Sequence, residues 1–317
     1  SASASPPPAP PATAVPIPSI GATIAAGETP GYVAAAPNGK QLYIANRTAG
    51  VVTVIDTAVN RITGTIPIAE GPPQFIAFSR DGRRAYVSLW DKQRGSIHAI
   101  SVLDTTSNTV VATIQVETRP FLSAVSPDGK LLYVPNHDTD TVSVIDTTTD
   151  QLVTNIQVAP NPHWVAFTPD GKKVYTANHD SNLVSVIDPA TNTVTATIPT
   201  PKSPHSIAVH PTLPLVIVAC FDAAAAAVID TNTDQVITTV PVGPDPQFAA
   251  WSADGRFAYL VNNDDNSVSV VDASTFAVVG TVFTGASPTS MAQSADGSRG
   301  FVSNLDDGTL TELNLAG

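Results

Sequence analysis

The sequence predicts an all-β protein, a seven-bladed β-propeller built from four-stranded antiparallel blades. One phrase recurs along the chain with a period of about 42 residues, and each copy contains four apolar runs separated by turn-forming clusters. The last copy is one strand short, and a segment near the start of the chain matches the missing strand. A period of this length with four strands per repeat is typical of a propeller.

Each copy begins at a marker proline. In most copies the glycine of an Asp-Gly or Asn-Gly turn follows nine residues later, as a tight hairpin requires. The fourth residue after the proline is alanine in every copy, which fits an inner strand crowded around the ring axis. The aspartates of these turns and of the "VID" phrases are therefore interpreted as hairpin residues rather than as catalytic carboxylates. The marker prolines are Pro30, Pro73, Pro120, Pro162, Pro204, Pro246 and Pro288.

The ring is predicted to close through its first strand. After "SRGFVSNLDDGTLTELNLAG" the chain reaches Gly317 one strand short, while "IGATIAAGETP" aligns with "VVATIQVETRP" of a complete copy. Residues of about 20–26 should therefore supply the outer strand of the final blade, which leaves no unpaired sheet edge between the first and last blades.

Five copies carry a tyrosine or phenylalanine phrase that ends in asparagine: "YIAN", "YVPN", "YTAN", "YLVN" and "FVSN". These phrases, each followed by a "VxVID"-like strand, resemble the YVTN-repeat family of seven-bladed propellers, which is grouped with lactonase-like and surface-layer-type propellers. Two copies depart from the pattern at Leu89 and Cys220. The resemblance implies an extracytoplasmic or surface propeller with varied binding roles, and it carries over no catalytic residue. The Trp-Asp pattern of the similarly built WD40 repeats is missing.

The chain is predicted to have two parts. Residues 1–18 are rich in Pro, Ala and Ser and should form a disordered linker or stalk, and residues 19–317 should form a single propeller domain. A stalk suits a secreted, periplasmic or surface-anchored protein, or the sensor part of a larger membrane protein such as a receptor kinase. The chain itself has no apolar run approaching the ~20 residues of a membrane helix.

The charge balance restricts the partners. The formal net charge is -12, which opposes binding to nucleic acid because such binding depends on Lys and Arg at the phosphates. The single cysteine, Cys220, allows no internal disulfide. We expect a monomer without a cofactor.

Two positions of each copy should share one end of the ring, here called the upper face. They are the residue after the marker proline and the residue after the "YVxN" strand, because the first strand of a meander starts where the second ends. Neither position keeps one residue type, as expected of a ligand-facing rim. The first set is Gly31, Gln74, Phe121, His163, His205, Gln247 and Thr289, and the second is Arg47, Trp90, His137, His179, Phe221, Asn263 and Leu305.

Four histidines fall in these sets: His137, His163, His179 and His205. Imidazole is the commonest metal ligand and titrates near physiological pH. Packed sheets lie ~10 Å apart, whereas the ligands of one zinc ion lie within ~2.1 Å of it, so we expect at most two of these rings to converge. We expect no bound metal; His163 and His205 are the pair that would hold one.

The second copy is five residues longer than the others, within "SLWDKQRGSIHAI" on the upper face. There Trp90 with Lys92 and Arg94 offers an aromatic ring beside positive charge, which suits a carboxylate, sugar or peptide. Gln74 and Gln247 are further candidate ligand-binding residues of the same face. The alternative is a longer hairpin with a half-buried tryptophan.

The leading hypothesis is a non-catalytic extracytoplasmic binding, sensor or scaffold module that presents its upper face to a peptide, glycan or protein partner. The alternative is a lactonase-like hydrolase or lyase, with or without a metal, that uses the upper-face histidines. The sequence contains no P-loop, no G-x-S-x-G elbow and no HExxH motif, so no catalytic residue is assigned.

Overall fold

The computed structural model describes residues 7–317. Within that range the chain forms 28 strands in seven four-stranded antiparallel sheets, as the repeats predict. The inner strand of each sheet packs on the inner strand of the next, and that of the last sheet packs on that of the first, so the sheets form a closed ring. No helix in residues 7–317 is long and apolar enough to cross a membrane.

The strands follow the chain in order. The first strand, β1 (Ala14–Ala25), joins the last blade. Blade 1 contains β2 (Pro30–Ala35), β3 (Gln41–Asn46), β4 (Val51–Asp56) and β5 (Arg61–Pro67). Blade 2 contains β6 (Pro73–Phe78), β7 (Arg84–Trp90), β8 (His98–Asp104) and β9 (Thr109–Gln115). Blade 3 contains β10 (Ala124–Val125), β11 (Leu131–Asn136), β12 (Thr141–Asp146) and β13 (Gln151–Gln157).

The later blades repeat the plan. Blade 4 contains β14 (Pro162–Phe167), β15 (Val174–Asn178), β16 (Leu183–Asp188) and β17 (Thr193–Pro199). Blade 5 contains β18 (Pro204–Val209), β19 (Leu215–Cys220), β20 (Ala225–Asp230) and β21 (Gln235–Pro241), with a 3-10 turn at Phe221–Ala223. Blade 6 contains β22 (Pro246–Trp251), β23 (Phe257–Asn262), β24 (Ser267–Asp272) and β25 (Val278–Phe283). Blade 7 contains β26 (Pro288–Gln293), β27 (Arg299–Asn304) and β28 (Thr309–Ala316).

The N-terminal strand closes the ring, as predicted, because β1 pairs antiparallel with β28. It begins at Ala14 and so extends into the segment expected to be a linker up to residue 18. Hydrogen bonds to blade 6 hold this start: the Ala14 amide donates to the Asp254 carboxylate at 2.8 Å, and the Arg256 guanidinium donates to the Ala14 carbonyl at 3.2 Å. Residues 1–6 of the expected linker lie outside the described residues.

Within a blade, the asparagine that ends the second strand bonds to the third strand. Its side-chain amide donates to a hydroxyl seven residues later, as from Asn178 to Ser185 at 2.9 Å. Blade 2 has Leu89 instead, so the buried Ser101 hydroxyl has no partner among the described residues. In blade 5 both partners are replaced, by Cys220 and Ala227. Burial raises the pKa of the Cys220 thiol to about 12, which opposes a nucleophilic role. The corresponding pairs elsewhere are Asn46 with Thr53, Asn136 with Ser143, Asn262 with Ser269 and Asn304 with Thr311.

Blade 5 also lacks the Asp-Gly turn, and a histidine replaces its hydrogen bonds. The Nδ1 atom of His210 accepts the amide hydrogens of Thr212 and Leu213, at 3.1 and 2.9 Å. Its Nε2–H group donates to the carbonyl of Gly255 in blade 6, at 2.8 Å. His210 is thus a turn residue at the lower end of the ring and is not part of the upper face.

Candidate functional site

In six of the seven blades a β-bulge aims one side chain at the upper end of the axis. The pairing of the first two strands shifts directly after the marker proline in blades 1, 2, 4, 5, 6 and 7. A bulge inserts an extra residue and redirects its side chain. The bulged residue, such as His163 or His205, therefore reaches the upper face, and the next residue points to the axis.

Aromatic rings close the axis below the upper face. Tyr32, Phe75 and Trp164 come from three blades and pack edge to face, with ring centroids 5.6 to 6.0 Å apart. Phe248 packs against Tyr32 and Trp164 in the same way, at 6.5 and 5.9 Å. These contacts cross the ring centre and give the upper cavity an apolar floor.

The four histidines expected at the upper face form one cluster. The ring of His163 lies at its centre, with centroids 4.7 Å from His137, 4.6 Å from His179 and 4.5 Å from His205. The expectation that at most two rings converge is therefore wrong. That expectation was based on the spacing between sheets. The imidazoles instead extend from the bulges and from neighbouring loops toward a single point.

Hydrogen bonds assign the tautomers of three of these rings. The Nδ1 atom of His137 lies 2.6 Å from the Asp138 carboxylate, and that of His179 lies 2.8 Å from the Asp180 carboxylate. The Nδ1 atom of His205 lies 3.0 Å from the Gln247 carbonyl. Carboxylate and carbonyl oxygens only accept, so each Nδ1 carries the hydrogen and each neutral ring has its lone pair on Nε2.

Burial lowers the pKa of three rings of the cluster, those of His137, His163 and His205. It lowers the pKa of His205 to about 3 and the pKa of His163 well below its ordinary value, and the neighbouring imidazoles lower both further. Burial also lowers the pKa of His137, against the opposing effect of Asp138. The Nδ1 atom of His163 is buried without a hydrogen-bond partner in residues 7–317. His137, His163 and His205 are thus held in the neutral form, and the Nδ1 atom of His163 has unused hydrogen-bonding capacity.

An aromatic wall continues from the histidines to the long loop of blade 2. The Phe121 ring lies nearly parallel to His163 at 4.2 Å and to Trp90 at 5.7 Å. The Arg119 guanidinium lies 4.6 Å from the Trp90 ring centre, a cation–π distance. Arg119 also lies 3.5 Å from the Asp138 carboxylate, so its charge is already partly balanced.

A cavity of about 460 Å³ lies above the aromatic floor. Arg47, Lys92 and Arg119 line it, and no aspartate or glutamate in the described part of the chain does so. Neither Arg47 nor Lys92 forms an ion pair with a described carboxylate, whereas the whole chain carries a net charge of -12. We call the cavity of about 460 Å³ the axial cavity. It is locally cationic in an acidic protein.

A second cavity, of about 610 Å³, adjoins the first. The two share the lining residues Arg47, Gln74, Trp90 and Lys92, so the axial cavity opens into a radial groove beside blades 1 and 2. Asp91 also lines this groove, but its carboxylate pairs with Arg94 at 2.8 Å.

The candidate residues predicted from the sequence occupy different places. The axial cavity is lined by His163, His179, His205, Trp90, Lys92, Gln74 and Gln247. His137 packs behind Phe121 and His163 and is not a lining residue. Arg94 is exposed and pairs with Asp91 instead of facing the axial cavity. The Gln74 amide donates to the Trp90 carbonyl at 3.0 Å, so it supports the loop as well.

Several lining residues were not singled out by the sequence. Arg119 precedes a marker proline, outside both upper-face sets, and Arg47 received no role within its set. The floor had a readable signal, because the second residue after the marker proline is aromatic in four copies. Those residues are Tyr32, Phe75, Trp164 and Phe248.

The ligating side chains of residues 7–317 include no group of three or more His, Cys, Asp and Glu placed to hold a metal ion. The rings of His163 and His205, the pair named for a metal, have centroids 4.5 Å apart and planes inclined by 71°.

Taken together, the closed ring, the aromatic floor and the lined cavity define a seven-bladed β-propeller with a cavity at one end of its axis. Residues 55–159 match the family model described as lactonase, seven-bladed beta-propeller. The family resemblance seen in the YVxN phrases is thereby confirmed.

Two known proteins are similar to this chain. It is 30% identical over 109 residues to the seven-bladed beta-propeller protein Rv1057 of Mycobacterium tuberculosis, and the match covers 34% of this chain and 27% of that relative. The chain thus matches about a quarter of the relative's length. A solved structure, hydrazine synthase of Kuenenia stuttgartiensis, superposes with a TM-score of 0.81 at 22% identity and covers 91% of this chain and 96% of that one. That likeness shows the fold alone.

Proposed function

We propose that this protein is a non-catalytic binding module that functions outside the cytoplasm as a monomer and takes a peptide, glycan or protein partner at the upper face. The axial cavity is the observation that carries the proposal. Its volume of about 460 Å³ lies in the range of small-ligand sites, and a few polar groups converge over an apolar floor. A ring closed by hydrogen-bonded strands holds these groups in fixed positions.

The residues of the cavity support binding more directly than its size does. They occupy repeat positions whose residue type changes from blade to blade, while the alanines and asparagines of the framework recur.

A substitution that fills the cavity without changing its charge tests the proposal. Gly31 lines the cavity, its φ is not positive, and an added Cβ would meet only ordinary contacts at 3.9 Å or more. Gly31→Trp should therefore fold normally and fill the cavity. We expect it to abolish the binding of any ligand found by screening peptide and glycan arrays with the wild-type protein.

Gly64→Trp is the matched control, because Gly64 lies on the outer strand β5 with open space around it. It should bind as the wild type does. Equal binding by Gly31→Trp and the wild type would overturn the proposal. For the location, fractionation of source cells should recover the protein outside the cytoplasm, and recovery with cytoplasmic markers would contradict that part.

The second candidate function is a lactonase-like hydrolase or lyase, and the histidine tautomers favour it. His179 lines the cavity with Nδ1–H on Asp180, which leaves Nε2 as a potential general base. This function requires turnover of a lactone or ester that is lost in His179→Gln and kept in the turn variant His210→Gln. The binding proposal predicts no turnover by the wild-type protein.

A further inference from the structure

We infer that the axial cavity recognises an organic carboxylate, with the carboxylate beside Arg47 and Lys92 and an N–H or O–H donor of the same molecule on the imidazoles. This inference rests on the proposed binding function and specifies the chemistry of the ligand. Two sources share that chemistry, a free acid such as a sugar acid and an acylated amino acid.

The cations determine the charge of the ligand. Arg47 and Lys92 both line the axial cavity and the radial groove into which it opens. Neither is paired with a carboxylate of residues 7–317. A guanidinium binds a carboxylate through two parallel hydrogen bonds, and an ammonium adds a point charge. Arg119 contributes less, because Asp138 and Trp90 already engage it.

The imidazoles determine the opposite end of the ligand. His179 and His205 line the cavity, and the Nδ1–H group of each ring donates a hydrogen bond to an oxygen. In the neutral form of each ring the lone pair is therefore on Nε2, where it accepts a hydrogen bond and repels a second carboxylate. A ligand that fits both ends has one carboxylate and at least one uncharged donor, and a dicarboxylate does not fit.

The floor limits the remainder of the molecule. Tyr32, Phe75 and Trp164 already engage one another edge to face, so an apolar or ring-shaped group of the ligand would rest on them and lose contact with water. The open groove beside Trp90 leaves room for substituents near the carboxylate.

Calorimetric titrations with matched probes test the inference. The first pair is N-acetyl-phenylalanine and its primary amide, and the second is glucuronate and glucose. At neutral pH and low salt we expect the acid of at least one pair to bind about tenfold more tightly than its uncharged partner, as one charge-assisted hydrogen bond would give. The pair that shows this difference identifies the source.

Charge variants locate the carboxylate. Arg47→Gln and Lys92→Gln should each weaken the acid and leave the binding of the uncharged partner unchanged. Arg94→Gln removes a positive charge from the loop that carries Lys92, but Arg94 does not line the axial cavity. This variant should bind the acid as the wild type does. Equal affinity for acid and uncharged partner in both pairs, or equal weakening by Arg94→Gln, would overturn the inference.

The outcome separates this inference from the function on which it rests. Binding of an uncharged probe that is lost in Gly31→Trp would refute carboxylate recognition and keep the binding module. Acid binding that survives in Gly31→Trp would refute the axial cavity as the site, and with it both proposals.

Discussion

The hydroxyl of Tyr133 in blade 3 donates a hydrogen bond to the side-chain oxygen of Asn192 in blade 4, at 2.6 Å. Asn192 has a left-handed backbone, with a φ of 53°, at the turn between the third and fourth strands. Tyr43 and Tyr175 reach the equivalent turn residues of the next blades in the same way. This contact joins neighbouring blades and gives the tyrosine of the repeat its structural role.

The tyrosine hydrogen bond that links neighbouring blades cannot form between blades 6 and 7. Removing the hydroxyl of Tyr133 and that of Tyr259 should therefore affect stability differently. The fourth strand of blade 7 comes from β1, so that blade lacks the turn, and the buried Tyr259 hydroxyl has no partner among the described residues. Tyr133→Phe should destabilise the protein by about 1 kcal/mol through the lost hydrogen bond. Tyr259→Phe should be neutral or stabilising. Thermal midpoints measure both, and a larger loss for Tyr259→Phe would contradict the assignment.

The unpartnered Ser101 hydroxyl in blade 2 predicts a stabilising substitution. Leu89 has replaced the asparagine that pairs with this position in other blades, so Ser101 is buried without a hydrogen bond. Ser101→Ala should raise stability by about 1 kcal/mol, because the desolvation cost of the hydroxyl disappears. Ser143→Ala, at the equivalent position of blade 3, should instead destabilise, since the Asn136 amide donates to Ser143 at 2.8 Å. Chemical denaturation should show these opposite signs.

The imidazole cluster predicts acid sensitivity. Burial holds the pKa of His205 at about 3, below the value of about 6.5 for an unfolded histidine, so between these values the unfolded chain binds a proton that the folded chain does not. This contribution to stability is complete above about pH 6.5 and is lost as the pH falls, by up to about 1.4 kcal/mol per pH unit. His205→Gln should therefore gain stability relative to the wild type between pH 6.5 and pH 4.5. A pH-independent difference between the two would contradict this pKa.

The turn of blade 5 predicts a structural role for His210. Its ring accepts hydrogen bonds from two backbone amides and donates one to the buried Gly255 carbonyl, so His210→Ala removes three hydrogen bonds and leaves that carbonyl without this partner. We expect a loss of about 2 kcal/mol. His98→Ala should cost less, because the Nδ1 atom of His98 has no partner in residues 7–317 to lose. Thermal midpoints of the two variants test this order.

The fold could be predicted because the sequence repeats one four-strand pattern along the chain. The marker prolines, turn clusters and truncated last copy specified seven blades and their closure, and the structure places these strands as predicted. The start of β1 at Ala14 was not predictable, because the segment "AVPIP" has a linker-like composition. Its order depends on Asp254 and Arg256, which are more than 200 residues away.

The site was predictable in its membership and not in its geometry. The upper-face positions could be read from the repeat, and most of the candidate residues line the cavity. The convergence of the four histidines depends on the bulges after Pro162 and Pro204 and on loop paths, which leave no periodic signal. The ion pair between Arg94 and Asp91 is likewise set by the conformation of the inserted loop.

Ring closure by β1 also determines when, during synthesis of the chain, the ring can close. On a ribosome, β1 emerges first and its partner β28 last, about 280 residues later, which takes roughly 15 to 60 s at about 5–20 residues per second. Throughout that interval β1 has an unsatisfied edge and the growing arc of blades has two open ends. The synthesis of β28 therefore converts an open, association-prone chain into a ring, and a delay before β28 is made prolongs the open state.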